Sequence, residues 1–310
     1  MRDLWTELYR PKNITEYVFK DAKQKKQIEN WIKEGALPHL LFSGVQGTGK
    51  TTLAKVLFNE LDVNPYDIKE INASKDNGVD FIRDTIVNFA QTMPFGDYKY
   101  ILLDEADYLT PNAQAVLRNV MERYSTMVRF VLTCNYPHKI IPAIHSRCQG
   151  FHIDKLDKDE FTLRVANILI EENIVFEIDT LDTFVSASYP DLRKCINSVQ
   201  MNAYEGKLAL PDEDSGSSSD YKLEMVALFK EGKYKEARQL ICTQATLEEY
   251  DDIYRFLYQN LSFFADDDSK EDRCIITIRD GLVKHTMCSD VELNLAATLV
   301  ELEMISKGVL

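Results

Sequence analysis

The stretch "GVQGTGKTT", residues 44–52, follows directly on the apolar run "HLLFS" and constrains this chain more than any other feature. Gly44 to Thr51 fits G-x-x-x-x-G-K-[ST] in full. Such a loop turns backbone N–H groups inward onto phosphates, between a strand and a helix. On this reading Gly44, Gln46, Gly47, Thr48, Gly49, Lys50, Thr51 and Thr52 hold a nucleotide's phosphates. Lys50 neutralises the β- and γ-phosphates, and the Thr51 hydroxyl ligates Mg2+. The N-terminus of the following helix adds the positive end of its dipole.

The loop demands a sheet to carry it. Short buried strands are expected at 39–43, 99–103 and 128–134, with helical stretches "TTLAKVLFNEL", "VDFIRDTIVNFAQ" and "PNAQAVLRNVMERY" among them. Strands alternating with helices imply a parallel sheet covered on both faces, an α/β domain. The second strand ends in acid, "YILLDEAD", 100–107. Asp104 is placed to hold Mg2+ through water. Glu105 is placed to orient and deprotonate an attacking water, and it separates a hydrolase from a passive nucleotide binder. The third strand ends in Asn135, where a polar side chain points into the ligand crevice and can sense a γ-phosphate and its water.

Strand signals fade after residue 155. "DKDEFTLRVANILIEENI", "IDTLDTFVSAS" and "PDLRKCINSVQMNAYEG" read as a small helical unit. "LPDEDSGSSSD", 210–220, reads as a linker or exposed loop. The remainder is helical by period, with "YKLEMVALFKEGKYKEARQLI" as one stretch, and Ser289 with Glu292 fits a capping box. The expected division is 1–152 for the nucleotide-binding domain, 153–209 for a helical lid, 210–220 for the linker and 221–310 for an all-α domain.

Charge limits the partners. The net charge of −14 excludes a nucleic-acid binder that uses its whole surface. Residues 1–150 carry 19 Lys+Arg against 18 Asp+Glu; residues 151–310 carry 17 against 32. A polyanion site must therefore be local and lie in the first half. No apolar run approaches the ~18 residues of a membrane span, so no membrane partner is expected. The early charge of "MRDLWTELYRPKN" is followed by no apolar signal region. The cysteines at 134, 148, 195, 242, 274 and 288 form no C-x-x-C pair, which points to a reducing cytosol rather than to zinc.

With "SRC" at 146–148 the motifs fall into one order. The chain resembles the AAA+ ATPases of clamp loaders: replication factor C small subunits and the ATPase subunit of T-even-type phage clamp loaders. The matching stretches are "LWTELYRPKNITEYV", "PHLLFSGVQGTGKTT", "EINASKDNGVDFIRDTIVNFA", "LLDEADYLTPNAQAVLRNVMERYSTMVRFVLTCNYPHKIIPAIHSRCQGFHI" and "YPDLRKCINSVQ", covering most of residues 4–201. The resemblance implies an AAA+ P-loop domain, a helical lid and an all-α collar, with ATP and Mg2+ as cofactors. It makes Arg147 a trans arginine finger at a neighbouring subunit's γ-phosphate, and Arg193 a cis contact from the lid. Tyr9, Arg10, Pro11 and Val18 match the segment around adenine. Gln114 and Arg118, four apart on one helical face, match a pair that couples DNA to the hydrolytic acids.

Arg83 matches the family's basic DNA contact, and Ser74 and Gly78 sit where backbone N–H groups could meet phosphate. Asn77 departs from the arginine usual in replication factor C subunits, which weakens the expected contact per subunit. Several copies summed together offset that. The implied partners are other copies of the chain, a distinct clamp-loader subunit, a sliding clamp and primer–template DNA. "LEEYDDIYRFLYQNL" and "LNLAATLVELEMI" offer apolar stripes for the collar, and "NVMERYSTM", 119–127, lies near the family's clamp-facing loop. A cytoplasmic location follows, in an infected bacterium if the short chain marks a phage protein, with the nucleus as the eukaryotic counterpart. Two rivals stay open: another AAA+ motor, for branch migration or helicase loading, and a subunit that binds ATP only for assembly. Lys50, Glu105 and Arg147 are all present, which weighs against the second.

Overall fold

The computed structural model describes residues 3–210 and 221–309. Residues 211–220, nearly all of the expected linker, lie outside the described residues. The chain divides into two compact units, Met1–Asn173 with Ser188–Gln200, and Ile174–Ala187 with Met201–Leu310.

In the first unit, β1 (Leu40–Gly44), β2 (Ile68–Asn72), β3 (Lys99–Asp104), β4 (Val128–Cys134) and β5 (Gln149–Ile153) form a sheet of order β2-β3-β4-β1-β5. Every pairing is parallel, with Leu41 opposite Leu132 on one side and Gly150 on the other. β1, β3 and β4 are buried along nearly their whole length and read as continuous apolar runs. Leu41, Leu103 and Leu132 meet Ile82, Ile86, Leu117 and Met121 in one core layer. Phe42 meets Phe151 edge-on at 5.6 Å, and Phe58 of the helix Lys50–Glu60 lies 5.3 Å from Tyr100. β2 and β5 add to the three expected strands. They are the two edges, "IKEIN" and "QGFHI", and edge strands are too polar to stand out as apolar runs.

The expected helix "VDFIRDTIVNFAQ" forms in three consecutive parts, with a π-helical segment at Ile82–Val87 between α-helical ends. Its C-terminus is held by the buried Lys99, which donates to Phe89 O (3.0 Å) and to Thr92 and lies 4.2 Å from the Phe89 ring centre.

His39 precedes β1 and accepts a hydrogen bond at Nδ1 from Phe130 N (3.1 Å), so that nitrogen must carry no proton. Burial, with the Arg129 charge second, pushes its pKa from 6.5 down to about 4. Between those values the unfolded chain takes up a proton that the folded chain refuses. Stability is therefore complete above the upper value and falls as pH drops through the window. His39→Asn keeps a short acceptor without a titration there. It is expected to flatten the loss of melting temperature between pH 7 and pH 5, and an unchanged slope would place that pH dependence elsewhere.

The second unit is helical: Ile178–Ser188, Tyr221–Lys230, Tyr234–Gln244, Tyr250–Gln259, Asp268–His285 and Val291–Ser306, with a hairpin of Ala203–Tyr204 and Lys207–Leu208. The hairpin was not expected from the sequence. Its turn places Glu205 at φ 48° and Gly206 at φ 78°, the backbone that two-residue turns require. The stretch 221–241 is two helices rather than one, broken at Gly232 with φ 72°. The capping box at Ser289 and Glu292 does not form. Asp290 caps instead, its carboxylate accepting from Leu293 N (3.0 Å), because it directly precedes the first helical residue. A reciprocal box occurs at Thr246 and Glu249.

Helices Lys158–Glu171 and Leu192–Asn202 of the expected lid group almost entirely with the first unit, and Ile178–Ser188 with the second. The two apolar stripes largely fill the second unit's own core: Tyr250, Ile253, Tyr254, Leu257, Leu295, Leu299 and Leu302 are buried. Leu247, Tyr258 and Leu293 of the stripes stay exposed, and further exposed apolar side chains lie on the helix Asp268–His285 and just beyond it, at Ile276, Val283 and Met287.

Candidate active site

The carboxyl ends of β1, β3 and β4 lie side by side, and the phosphate loop, the acids and Asn135 leave the sheet there. Gly44 has φ 145°, and a Cβ on it would lie 1.9 Å from Ile153 O in β5. Gly47 has φ 76°, and a Cβ there would meet the Asp191 carboxylate at 1.8 Å. Both positions thus demand glycine for conformation and for space. The buried Lys50 donates to Gly44 O (3.0 Å) and Val45 O (2.7 Å). Burial lowers its pKa below the ordinary lysine value, with Cys134 and Asp104 opposing that.

A hydroxyl–carboxylate chain fixes the acids. Asp104 Oδ1 accepts from Thr51 Oγ1 (2.6 Å) and from Thr133 Oγ1 (2.6 Å). Thr133 Oγ1 in turn accepts from Glu105 N (3.0 Å). Glu105 sits at φ 57°, ψ 43°, a left-handed backbone that costs a side-chain-bearing residue about 1–2 kcal/mol. Thr133 escaped the sequence reading, although a hydroxyl in the apolar strand "RFVLTCN", two residues before Asn135, was a visible signal. Asp107 was missed as well: it is buried, and Oδ2 accepts from Tyr136 N (3.2 Å), tying the loop after β3 to the loop after β4.

Lys50, Thr51, Asp104, Glu105, Thr133, Asn135 and Arg193 line one cleft of about 510 Å³, with Gln46, Gly47, Gly49 and Thr52. A second cleft of about 610 Å³ shares Gly47, Gly49, Thr52 and Arg193 with it and also includes Thr48. Tyr9, Arg10, Pro11 and Val18 line this second cleft, as do Tyr17, Leu156, Leu192 and Ile196, which the sequence reading did not name. Tyr17 OH donates to Thr48 O (3.3 Å), and burial raises its pKa far above the usual phenol. Tyr9 OH donates to Glu172 (2.8 Å); burial and that carboxylate raise its pKa to about 12. A planar base fits beside aromatic and aliphatic walls, and phosphates fit the loop. The oxygen pair of Thr51 and Asp104 suits Mg2+, which takes few protein ligands and completes its shell with phosphate and water. ATP with Mg2+ therefore fits the residues present.

Arg147 lines neither cleft. It follows the short helix Pro142–His145, donates to Ala143 O (2.6 Å) and Ser146 Oγ (3.3 Å), and pairs with Glu122. Gln114 is buried, donating to Leu109 O (3.1 Å) and Lys139 O (3.0 Å) and accepting from Ile141 N (2.8 Å). Arg118 donates to its neighbour Asn119. Arg83 is exposed on the π-helical segment, and Gly78 starts that helix with no side-chain cap. Ser74 donates both its N–H (2.8 Å) and its hydroxyl (2.6 Å) to Asn72 Oδ1, so its amide already has a partner. In 119–127 the apolar Val120, Met121 and Tyr124 are buried. Among the described residues no helix is long and apolar enough to cross a membrane.

This sheet order, phosphate loop and acid pair define a P-loop ATPase, and the model of the "ATPase family associated with various cellular activities (AAA)" matches residues 40–154. The replication factor C small subunit of Methanococcus vannielii is 39% identical over 249 residues, 77% of this chain and 78% of the relative. That of Aeropyrum pernix is 35% identical over 318 residues, 98% of this chain and 97% of the relative. Among solved structures, a single-substitution variant of Thermotoga maritima RuvB aligns with a TM-score of 0.57 at 16% identity, covering 81% of this chain and 91% of that one. The Thermotoga maritima RuvB Holliday junction branch migration motor aligns at 0.55 and 16%, covering 73% of this chain and 80% of that one. Both show the fold alone. The chain belongs to the replication factor C small-subunit family of clamp-loader AAA+ ATPases. The expectation of a phage origin is not borne out, since these relatives are archaeal.

Proposed function

We propose that this chain is the ATP-driven subunit of a sliding-clamp loader, working with other copies of itself and a distinct subunit. The chain of Thr51, Asp104, Thr133 and Glu105 beside the phosphate loop carries the reading, because it holds a general base and a metal site together. Bound Mg2+ supplies charge neutralisation at the phosphates. Lys50 leaves its loop carbonyls to neutralise phosphate oxygens. Asp104 and Thr51 orient the metal side, Glu105 takes the proton of the attacking water, and Asn135 positions that water. Arg193 contacts the phosphates from the lid. Arg147, which lines neither of its own subunit's clefts, is presented to the neighbouring copy as its arginine finger. ATP binding assembles a spiral that opens the clamp; primer–template DNA triggers hydrolysis and clamp release.

In this reading Arg83 and Gly78 track DNA phosphates, and Ser74 joins them only by releasing its donors from Asn72. Gln114 and Arg118 relay the contact, and the all-α part from 221 onward forms the collar. The clamp-facing surface moves from 119–127 to the loops entering β2 and β3. There Tyr66, Met93 and Phe95 are each at least 75% exposed. The buried Asp67 carboxylate accepts from Phe95 N (2.9 Å) and Gly96 N (2.9 Å) and so holds the loop in place. A cluster of exposed apolar side chains on a pinned loop suits a protein partner. The work is done where DNA is replicated, in the cytoplasm of a prokaryote or the nucleus of a eukaryote.

The test is steady-state ATPase of the assembled complex, with and without clamp and primer–template DNA. The rate should rise strongly only when both are present, Arg147→Ala should abolish the rise, and Phe95→Ala should remove the clamp's share of it. Full stimulation by DNA junctions or single strands without a clamp would replace the loader reading with another AAA+ motor. No stimulation at all would leave a structural nucleotide site.

A further inference from the structure

We infer that Glu122 is a positioning residue for Arg147, fixing the guanidinium that one copy presents to the next. The inference rests on the proposal that Arg147 acts in trans. Two of the three groups holding the guanidinium, Ala143 O and Ser146 Oγ, belong to the same short segment as Arg147 itself and move with it. The third, the Glu122 carboxylate, ties the side chain to the body of the domain. Glu122 stands on the helix Pro111–Arg123, which opens just after the acids Asp104 and Glu105. The same helix grips the approach to the arginine at a second point, where the Gln114 amide bonds Lys139 O (3.0 Å) and Ile141 N (2.8 Å). Gln114 and Glu122 are eight residues apart, on one helical face. One rigid element thus holds the arginine's segment at the backbone and its tip at the carboxylate.

Magnitudes favour orientation over stability as the role of the pair. Both side chains are partly exposed, 32% for Arg147 and 50% for Glu122, and pairs exposed to this degree contribute little to folding. An arginine finger, by contrast, supplies ~10³–10⁵ in rate, and a displacement of about 1 Å in a reacting constellation costs ~10²-fold. Ion pairing also selects one orientation of a long side chain that otherwise samples many rotamers.

The experiment compares wild type, Glu122→Ala, Glu122→Gln, Arg147→Ala and the Glu122→Ala/Arg147→Ala pair in the complex assembled with partner subunit, clamp and primer–template DNA. Expected for both Glu122 variants is a fall of roughly 10–100-fold in stimulated kcat with KM for ATP and melting temperature unchanged. The double variant should be no slower than Arg147→Ala alone, since both changes act through one group. A Glu122→Ala rate within twofold of wild type, beside a collapsed Arg147→Ala, overturns the inference and leaves the finger standing. A faster Glu122→Ala complex also overturns it, because the carboxylate then restrains the arginine. If Arg147→Ala itself keeps full activity, the finger reading fails and the inference with it. A fall in melting temperature that tracks the loss of rate would make Glu122 structural.

Discussion

Glu105→Gln is expected to bind MgATP within about twofold of wild type and to hydrolyse it ~10²–10⁴-fold more slowly. The amide keeps the size of the side chain and can still hydrogen-bond a water, but it cannot accept that water's proton. The contacts that build the site come from elsewhere. Asp104 is held by Thr51 and Thr133, and Glu105 is anchored through its backbone N–H rather than its carboxylate. Its left-handed backbone is available to glutamine on the same terms as to glutamate. The measurement is equilibrium binding of a fluorescent ATP analogue beside single-turnover hydrolysis in the assembled complex. Lost binding would mean that the Glu105 carboxylate supports the phosphate site itself. Retained hydrolysis would move the general base to another group, and the buried Asp107, two residues on, is the nearest carboxylate in sequence after Asp104.

The parts of this site that could be read in the sequence are those whose chemistry sits in consecutive residues. The phosphate loop is one continuous stretch, and Asp104 and Glu105 follow an apolar strand directly, so pattern and chemistry coincide. Thr133 and Asp107 act through partners on another strand or loop, 29 residues away in each case, so although the Thr133 hydroxyl stands out in its apolar strand, nothing local names the groups they bind. The walls of the second cleft come from still farther apart, with Tyr17 near the start and Ile196 near the end of the first unit. The same logic governs the fold. The central strands β1, β3 and β4 must be apolar throughout, whereas the edges β2 and β5 are half exposed and look like loops. In the second unit helical periodicity identified the helices, but it could not say which apolar stripe faces outward. That depends on helix packing, which leaves Ile276 and Val283 of Asp268–His285 exposed and also Leu247, Tyr258 and Leu293 of the stripes themselves. The pairing of Arg147 with Glu122 spans 25 residues and was equally hidden.

Gly44→Ala is expected to disable the first unit more thoroughly than any other single methyl addition in the loop. The new Cβ would lie 1.9 Å from Ile153 O, and the obstacle is backbone rather than a movable side-chain tip. Gly44 and Ile153 are register partners at the end of the β1–β5 ladder, so relief requires the two strands to part. The φ of 145° adds strain of its own, since alanine rarely adopts it. Together these put the destabilisation at roughly 3 kcal/mol, or about 6–12 °C in melting temperature. Parting β1 from β5 also displaces the first residue of the phosphate loop, whose carbonyl receives Lys50, so nucleotide affinity should collapse along with stability. Gly150→Ala is the matched control on the same ladder. A Cβ there meets nothing within 4 Å, and its melting temperature and ATP affinity should match wild type. Equal losses in both variants would show that glycine at Gly44 serves chain flexibility rather than the close approach of β5. A stable Gly44→Ala chain that still binds ATP would show that the loop can rise off the edge strand without losing its grip on phosphate.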